Sequence, residues 1–149
     1  MSKIVILTGA GISAESGIDT FRAEDGLWAQ HRVEDVATPE GFARDPELVL
    51  RFYDMRREAI QTKQPNAAHE SLVQLERQHV ANGGEFLLVT QNVDPLHERA
   101  GAEWYVKVHG SADRVRCVGA GCCHGAPSGS LDIGAANLEA FRAAPSIET

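Results

Sequence analysis

The feature that most constrains this chain is a short apolar run that feeds directly into glycines: Ile4-Val5-Ile6-Leu7-Thr8-Gly9-Ala10-Gly11-Ile12-Ser13-Ala14-Glu15-Ser16-Gly17-Ile18. The β-branched run reads as a strand buried on both faces, as in a parallel sheet. The glycines allow a tight turn and let backbone approach a ligand closely, because no Cβ intervenes. A helix starting after Gly11 would aim its free N–H groups and positive dipole end at that place, and a diphosphate is the natural occupant. The pattern is that of the first turn of a doubly wound dinucleotide-binding sheet. An ordinary glycine turn behind a strand is the competing reading.

Spacing then narrows the class. A hydride-transferring dehydrogenase expects a second strand and an acidic ribose ligand about 20 residues past the glycines. Here the next convincing strand is Phe86-Leu87-Leu88-Val89-Thr90, and a long, mostly helical insertion fills the interval. Such an insertion beside a nucleotide crevice suggests a larger second substrate. The expected fold is α/β: a partial Rossmann-like, doubly wound parallel sheet with an inserted, mostly helical module. Residues 1–22 and 83–116 would form the sheet part, about 23–82 the insertion and lid, and 117–149 a short cysteine-containing tail. The whole is about one domain, as 149 residues suggest, and it is the resemblance given below that marks that domain as partial.

Composition removes other classes. A net charge of −7 argues against binding a nucleic-acid backbone, while cationic protein tails stay compatible. No run approaches a membrane span, and no secretory signal pattern opens the chain. Three cysteines, two of them adjacent at Cys122 and Cys123, do not form a disulfide framework and suit a reducing cytoplasm.

Along the insertion, Asp19 to Trp28 is polar and irregular yet carries Phe21 and Trp28, which suits either a lid over the crevice or two aromatics packed on the domain. Residues 45–61 read as a helix capped by Asp45, with Leu48, Val49, Phe52 and Tyr53 at helical spacing. Tyr53 and Arg56 share a face of it. They suit either a grip on a small carboxylate or a tyrosine stacked on an arginine stem. Pro65-Asn66 opens a second helix with Ala67, Ala68, Leu72, Leu75 and Val80 on its apolar side, stopped by Asn82-Gly83-Gly84.

The second strand runs into Gln91-Asn92-Val93-Asp94-Pro95-Leu96-His97, and a third, Trp104 to Val108, ends in His109-Gly110-Ser111. Polar residues at the C-terminal ends of such strands lie where open α/β sheets bind ligands. Asn92 and Asp94, two apart, would both face the crevice while Val93 packs inward, and an Asx turn into a helix at Pro95 is compatible with that. A histidine at a strand end suits a base near neutral pH, although most isolated histidines are not catalytic.

Gly9-Ala10-Gly11-Ile12-Ser13-Ala14-Glu15-Ser16-Gly17-Ile18, Thr20-Phe21-Arg22, Gln91-Asn92-Val93-Asp94 with Leu96-His97, and His109-Gly110-Ser111 together resemble the sirtuin family over roughly residues 3 to 117. The resemblance implies an NAD-dependent protein lysine deacylase acting on acyl-lysine-bearing proteins, with nicotinamide and O-acyl-ADP-ribose as products. By the same resemblance NAD would be held by Gly9, Ala10, Gly11, Ser13, Ala14, Glu15, Thr20, Phe21, Arg22, Gln91, Asn92 and Asp94. His109 would be the general base, with Asn92 and Asp94 in the catalytic set. Phe52-Tyr53-Asp54-Met55-Arg56-Arg57 resembles the Tyr-x-x-Arg of deacylases that remove succinyl and malonyl groups, which turns Tyr53 and Arg56 into a carboxylate clamp. The stretch from Phe21 to Phe42 is similar to bacterial CobB-type members, which act on acetyl- and succinyl-lysine.

The tail departs from the family. Sirtuins carry a zinc module of two cysteine pairs. Here Cys117, Cys122, Cys123 and His124 are the candidates, and the adjacency of Cys122 and Cys123 disfavours both binding one ion. Cys117 and Cys122 are the zinc expectation. Past His124 the family's peptide-pairing strand and its ribose- and adenine-binding segments are absent, and one amphipathic hint lies at Leu138 to Phe141. A piece of a longer protein, a truncated relative, or a non-catalytic NAD-binding or interaction remnant would each read this way.

Overall fold

The computed structural model describes residues 2–18, 31–115 and 131–132. Three parallel strands, β1 (Lys3–Thr8), β2 (Glu85–Thr90) and β3 (Tyr105–Lys107), form a sheet in that order. Register pairs Ile4 with Phe86, Ile6 with Leu88 and Thr8 with Thr90, and then Leu88 with Tyr105 and Thr90 with Lys107. The ladder reaches beyond β3 at both ends, since Leu88 N donates to Trp104 O and Val108 N to Thr90 O. A short antiparallel pair joins β4 (Arg114–Val115) to β5 (Leu131–Asp132).

Between β1 and β2 lie α1 (Gly11–Ala14), α2 (Val33–Val36), α3 (Pro39–Arg44), α4 (Pro46–Gln61) and α5 (Ala67–Ala81); α6 (Leu96–Ala100) joins β2 to β3. The expected helical insertion is therefore present among the described residues. Its starts are chemical. Thr38 Oγ1 accepts from Gly41 N at α3, and Asp45 Oδ1 accepts from Leu48 N at α4. At α5 the Asn66 side chain accepts from Ala68 N while His69 Nδ1 accepts from Asn66 N, forming a capping box. Gly83 (φ 77°) follows α5 and Gly101 (φ 97°) ends α6 in the left-handed region that side chains resist.

The core sits on one face of the sheet. Val73 of α5, Phe86, Leu88 and Ala102 form a buried cluster, with Ile4, Ile6, Leu72, Ala100 and Tyr105 packed against it. The opposite face differs from expectation. Val5 is 68% and Leu7 66% exposed, and Leu87, Val106 and Val108 are exposed beside them, so β1 is buried on one face and not on two. The described helices α5 and α6 lie on the inner face, and alternation sends every second apolar side chain to the outer one.

The buried side of α5 also needs correcting. Ala67, Ala68, Leu75 and Val80 are exposed, Leu72 is half-buried, and the residues that face the core are His69, Val73 and Glu76. Glu76 is taken inside because its Oε1 accepts from Glu103 N at 2.9 Å. The amphipathic hint at Leu138 to Phe141 and the lid aromatics Phe21 and Trp28 lie outside the described residues.

Candidate active site

All three strands end on the same edge, and there the inner face turns from apolar to polar. Thr8 and Thr90 are buried where Ile4, Ile6, Phe86 and Leu88 gave way to them along the strands. Beyond Thr8 the chain turns at once into α1, whose one buried residue is Ser13. Apart from adjoining chain, a Cβ placed on Gly9 or Gly11 would meet no atom of the described residues within 4 Å, so among them the front of this turn is open ground. Neither glycine needs positive φ, so what they contribute is the lack of side-chain bulk.

Ser13 organises the strand ends. Its Oγ donates to Asp94 Oδ2 at 2.9 Å and accepts from Asn92 Nδ2 at 3.1 Å. Asn92 Nδ2 also donates to Gly9 O at 3.1 Å, while Thr90 Oγ1 accepts from Asn92 N. Asp94 Oδ1 accepts from Leu96 N, making the expected Asx turn into α6. Ser13, Asn92 and Asp94 are each at least nine-tenths buried, so these bonds fix them with little rotamer freedom. Gly9 is half-buried, Ala10, Gly11, Ala14 and Glu15 are exposed along this turn, and Gln91 is exposed just past the end of β2.

Beneath it lies a pair of histidines that sequence reasoning did not assign. Thr8 Oγ1 and His97 Nε2 are 3.0 Å apart, and the His97 ring stands edge-on to His69 at 4.9 Å between centroids. Burial, then the neighbouring His69, pushes the His97 imidazole down to about 4. Burial likewise lowers His69. Both rings are therefore neutral near pH 7. The sequence signal was the position of His97 three residues after Asp94, on the turn's own helix.

His109 stands on the next loop, exposed, with Gly110 in left-handed conformation (φ 81°) behind it. Its Nδ1 lies 3.1 Å from Gln91 O. A carbonyl only accepts, so Nδ1 is the donor, and in the neutral ring the lone pair is left on Nε2. A cavity of 910 Å³ borders His109, Lys107, Ser111 and Tyr105.

Tyr53 and Arg56 do share a face of α4. The Arg56 guanidinium carbon is 5.8 Å from the Tyr53 ring centre and 6.0 Å from that of Phe52. Burial pulls the Arg56 guanidinium below its ordinary value, while Tyr53 and the Asp94 carboxylate oppose that shift. Arg56 thus lies within electrostatic reach of the strand-end network. Its neighbour Arg57 does different work: buried and ion-paired with Asp54, it donates through Nε to Ala112 O at 2.8 Å, tying α4 to the loop after His109. Thr20, Phe21, Arg22, Cys117 and Cys122 lie outside the described residues. Among the described residues no group of three metal-ligating side chains comes together.

Residues 9–131 match the family model described as Sir2 family. The chain belongs to the Sir2 family. Among its relatives, an NAD-dependent protein deacylase of Rhodopirellula baltica is 59% identical over 119 residues, covering 78% of this chain and 50% of the relative. One of the same description from Salmonella typhimurium is 62% identical over 117 residues, covering 77% and 42%. This Sir2 chain therefore spans half or less of the length of these curated relatives. Among solved structures, a crystal structure of a Sir2 homolog–NAD complex superposes with a TM-score of 0.73 at 46% identity, covering 89% of this chain and 48% of that one. The Rossmann-like α/β reading stands with that likeness.

Proposed function

We propose that this Sir2 chain carries the nicotinamide-side half of an NAD-dependent protein lysine deacylase. The observation that carries the reading is the buried Ser13–Asn92–Asp94 network, which binds the glycine turn to the end of β2 beside His109. The residues fit NAD. The open front of Gly9 and Gly11 suits a diphosphate, and Arg22 and Phe21, by sequence, would complete the cofactor side with Thr20. Asn92, Asp94 and Gln91 would hold the ribose and carboxamide. NAD, when bound, supplies the ribose carbon that takes up the acyl group as nicotinamide leaves.

The chain's own residues have separable tasks in this reading. Ser13 orients the Asp94 carboxylate and the Asn92 amide so that neither rotates when a ligand arrives. The His109 Nε2 lone pair takes a proton from a ribose hydroxyl, and Gln91 O stabilises the resulting cation at Nδ1–H. Tyr53 and Arg56 would bind the distal carboxylate of a succinyl or malonyl group, the arginine through paired donors. The relatives' name, NAD-dependent protein deacylase, supports protein acyl-lysine as substrate. Zinc rests on Cys117 and Cys122 by sequence alone, and elemental analysis of purified chain decides it.

The test is mass spectrometry of purified chain with NAD and matched succinyl-lysine and acetyl-lysine peptides. His109→Ala is expected to lower turnover by about 10²–10⁴-fold. Arg56→Met is expected to lower kcat/KM for the succinyl peptide by about tenfold or more while leaving the acetyl peptide nearly unchanged. No turnover from a folded chain that still binds NAD would leave the second reading, a non-catalytic NAD-binding remnant.

A further inference from the structure

We propose that Lys107, with Glu98 as its counter-ion, is a positioning residue that sets where His109 stands. The inference rests on the reading of His109 as base, though the clamp itself is a matter of geometry. Lys107 is the last residue of β3, two before His109 on the following turn, and its side chain is only 9% exposed. Its Nζ donates to Glu98 Oε1 at 2.6 Å, to Ser111 Oγ at 2.9 Å and to Val93 O at 3.4 Å. An ammonium has three protons, and each has its acceptor. Those acceptors belong to α6, to the turn after His109, and to the loop that carries Asn92 and Asp94.

Two further bonds complete the clamp. Ala112 N donates to the same Val93 O at 2.8 Å, and His109 Nδ1 donates to Gln91 O at 3.1 Å. Residues 109–112 are therefore fastened to residues 91–93 on both sides of Asn92, with Lys107 as the tie between them. Glu98 Oε2 is buried without a hydrogen-bond partner, so the carboxylate depends on Lys107 for its compensation. A shorter or neutral side chain would break three bonds and strand that charge. The His109 turn would then lose its fixed distance to Asn92 and Asp94, while the sheet beneath keeps its own ladder.

The experiment is NMR on the isotope-labelled full chain as wild type, Lys107→Met, Lys107→Arg and Glu98→Gln. Amide hydrogen exchange is read at Ala112 and Leu88, alongside the His109 ring chemical shifts. Loss of the clamp is expected to speed exchange at Ala112 about tenfold in Lys107→Met, to shift the His109 ring signals, and to leave Leu88 protected. Lys107→Arg should restore most of the protection. If Lys107→Met does not fold, Glu98→Gln serves in its place, with a smaller change at the same amide. Unchanged exchange at Ala112 overturns the proposal. Equal loss at Leu88 and Ala112 also overturns it, because that marks a general loss of stability. Turnover with NAD and an acyl peptide is measured in parallel, with kcat expected to fall about tenfold in Lys107→Met and KM for NAD to hold. A wild type without turnover, together with selective loosening at Ala112, would sink the functional reading and leave the clamp standing.

Discussion

The two faces of the sheet are built from the same residue types and meet different surroundings. On the inner face Ile4, Ile6, Phe86 and Leu88 pack under α5 and α6, and the strands then turn polar at Thr8, Thr90 and Lys107. On the outer face Val5, Leu7, Leu87, Val106 and Val108 stand exposed, with the Lys3–Glu85 ion pair at their N-terminal end. Apolar alternation on both faces is the mark of a parallel strand made to be covered twice. Stability here comes from one face, and the chemistry comes from the polar end of that same face. The outer face contributes to neither among the described residues.

The largest expected effect sets the two faces directly against each other. Leu88 is 1% exposed in the core, so Leu88→Ala should cost about 2–5 kcal/mol, through lost transfer energy and a cavity. Leu7→Ala, at 66% exposure and one strand position from the Ile6–Leu88 pair but on the opposite face, should cost about 0.5 kcal/mol or less. Urea denaturation of both variants measures the difference. Equal costs would mean that the outer face is covered in solution and that the comparison is wrong.

Much of this was legible in the sequence where local chemistry decides it. The strand before Gly9, the Asp45 and Asn66 caps, and the two later strands with their polar ends all rest on short-range rules. Burial was less legible. Hydropathy placed Leu75 and Val80 inside α5, yet His69 and Glu76 occupy the core because each finds a specific backbone partner across the fold or in its own cap. No pattern of apolar residues announces such a bond. The same holds for Ser13: the glycine motif included it, but its link to both Asn92 and Asp94 is a contact across about 80 residues of chain and exists only once the strands are paired.

A pH experiment sharpens the inner face at its polar end. In the unfolded chain His97 titrates near 6.5, and in the fold at about 4. The folded pKa is depressed, so the unfolded state binds the proton more readily. Stability is then fullest above pH 6.5 and drains away as pH falls from there to about 4, by about 3 kcal/mol for this group. His69, shifted the same way, adds to the loss. Carboxylates titrate over part of that range, so the quantity to measure is the difference between wild type and His97→Gln at pH 7 and pH 4. Wild type should lose about 3 kcal/mol more than the variant over that interval. A constant difference would mean that His97 is hydrated in solution and that the polar end of the inner face is wetter than its packing indicates.

The smallest expected effect on stability belongs to the outer face, and its informative readout is association. Val5→Thr and Leu7→Thr keep side chains suited to a strand while removing apolar surface, so the doubly substituted chain should unfold within about 0.5 kcal/mol of wild type. A contiguous apolar face is a site where copies of a chain stick to one another. Sedimentation velocity over a concentration series should therefore show wild type moving to larger species as concentration rises, and the double variant doing so less. If the variant instead unfolds at clearly lower urea, Val5 and Leu7 are packed against something, and the two faces are more alike than their exposure implies. If association is unchanged while stability holds, the outer face is inert, and the contrast between the faces is one of burial alone.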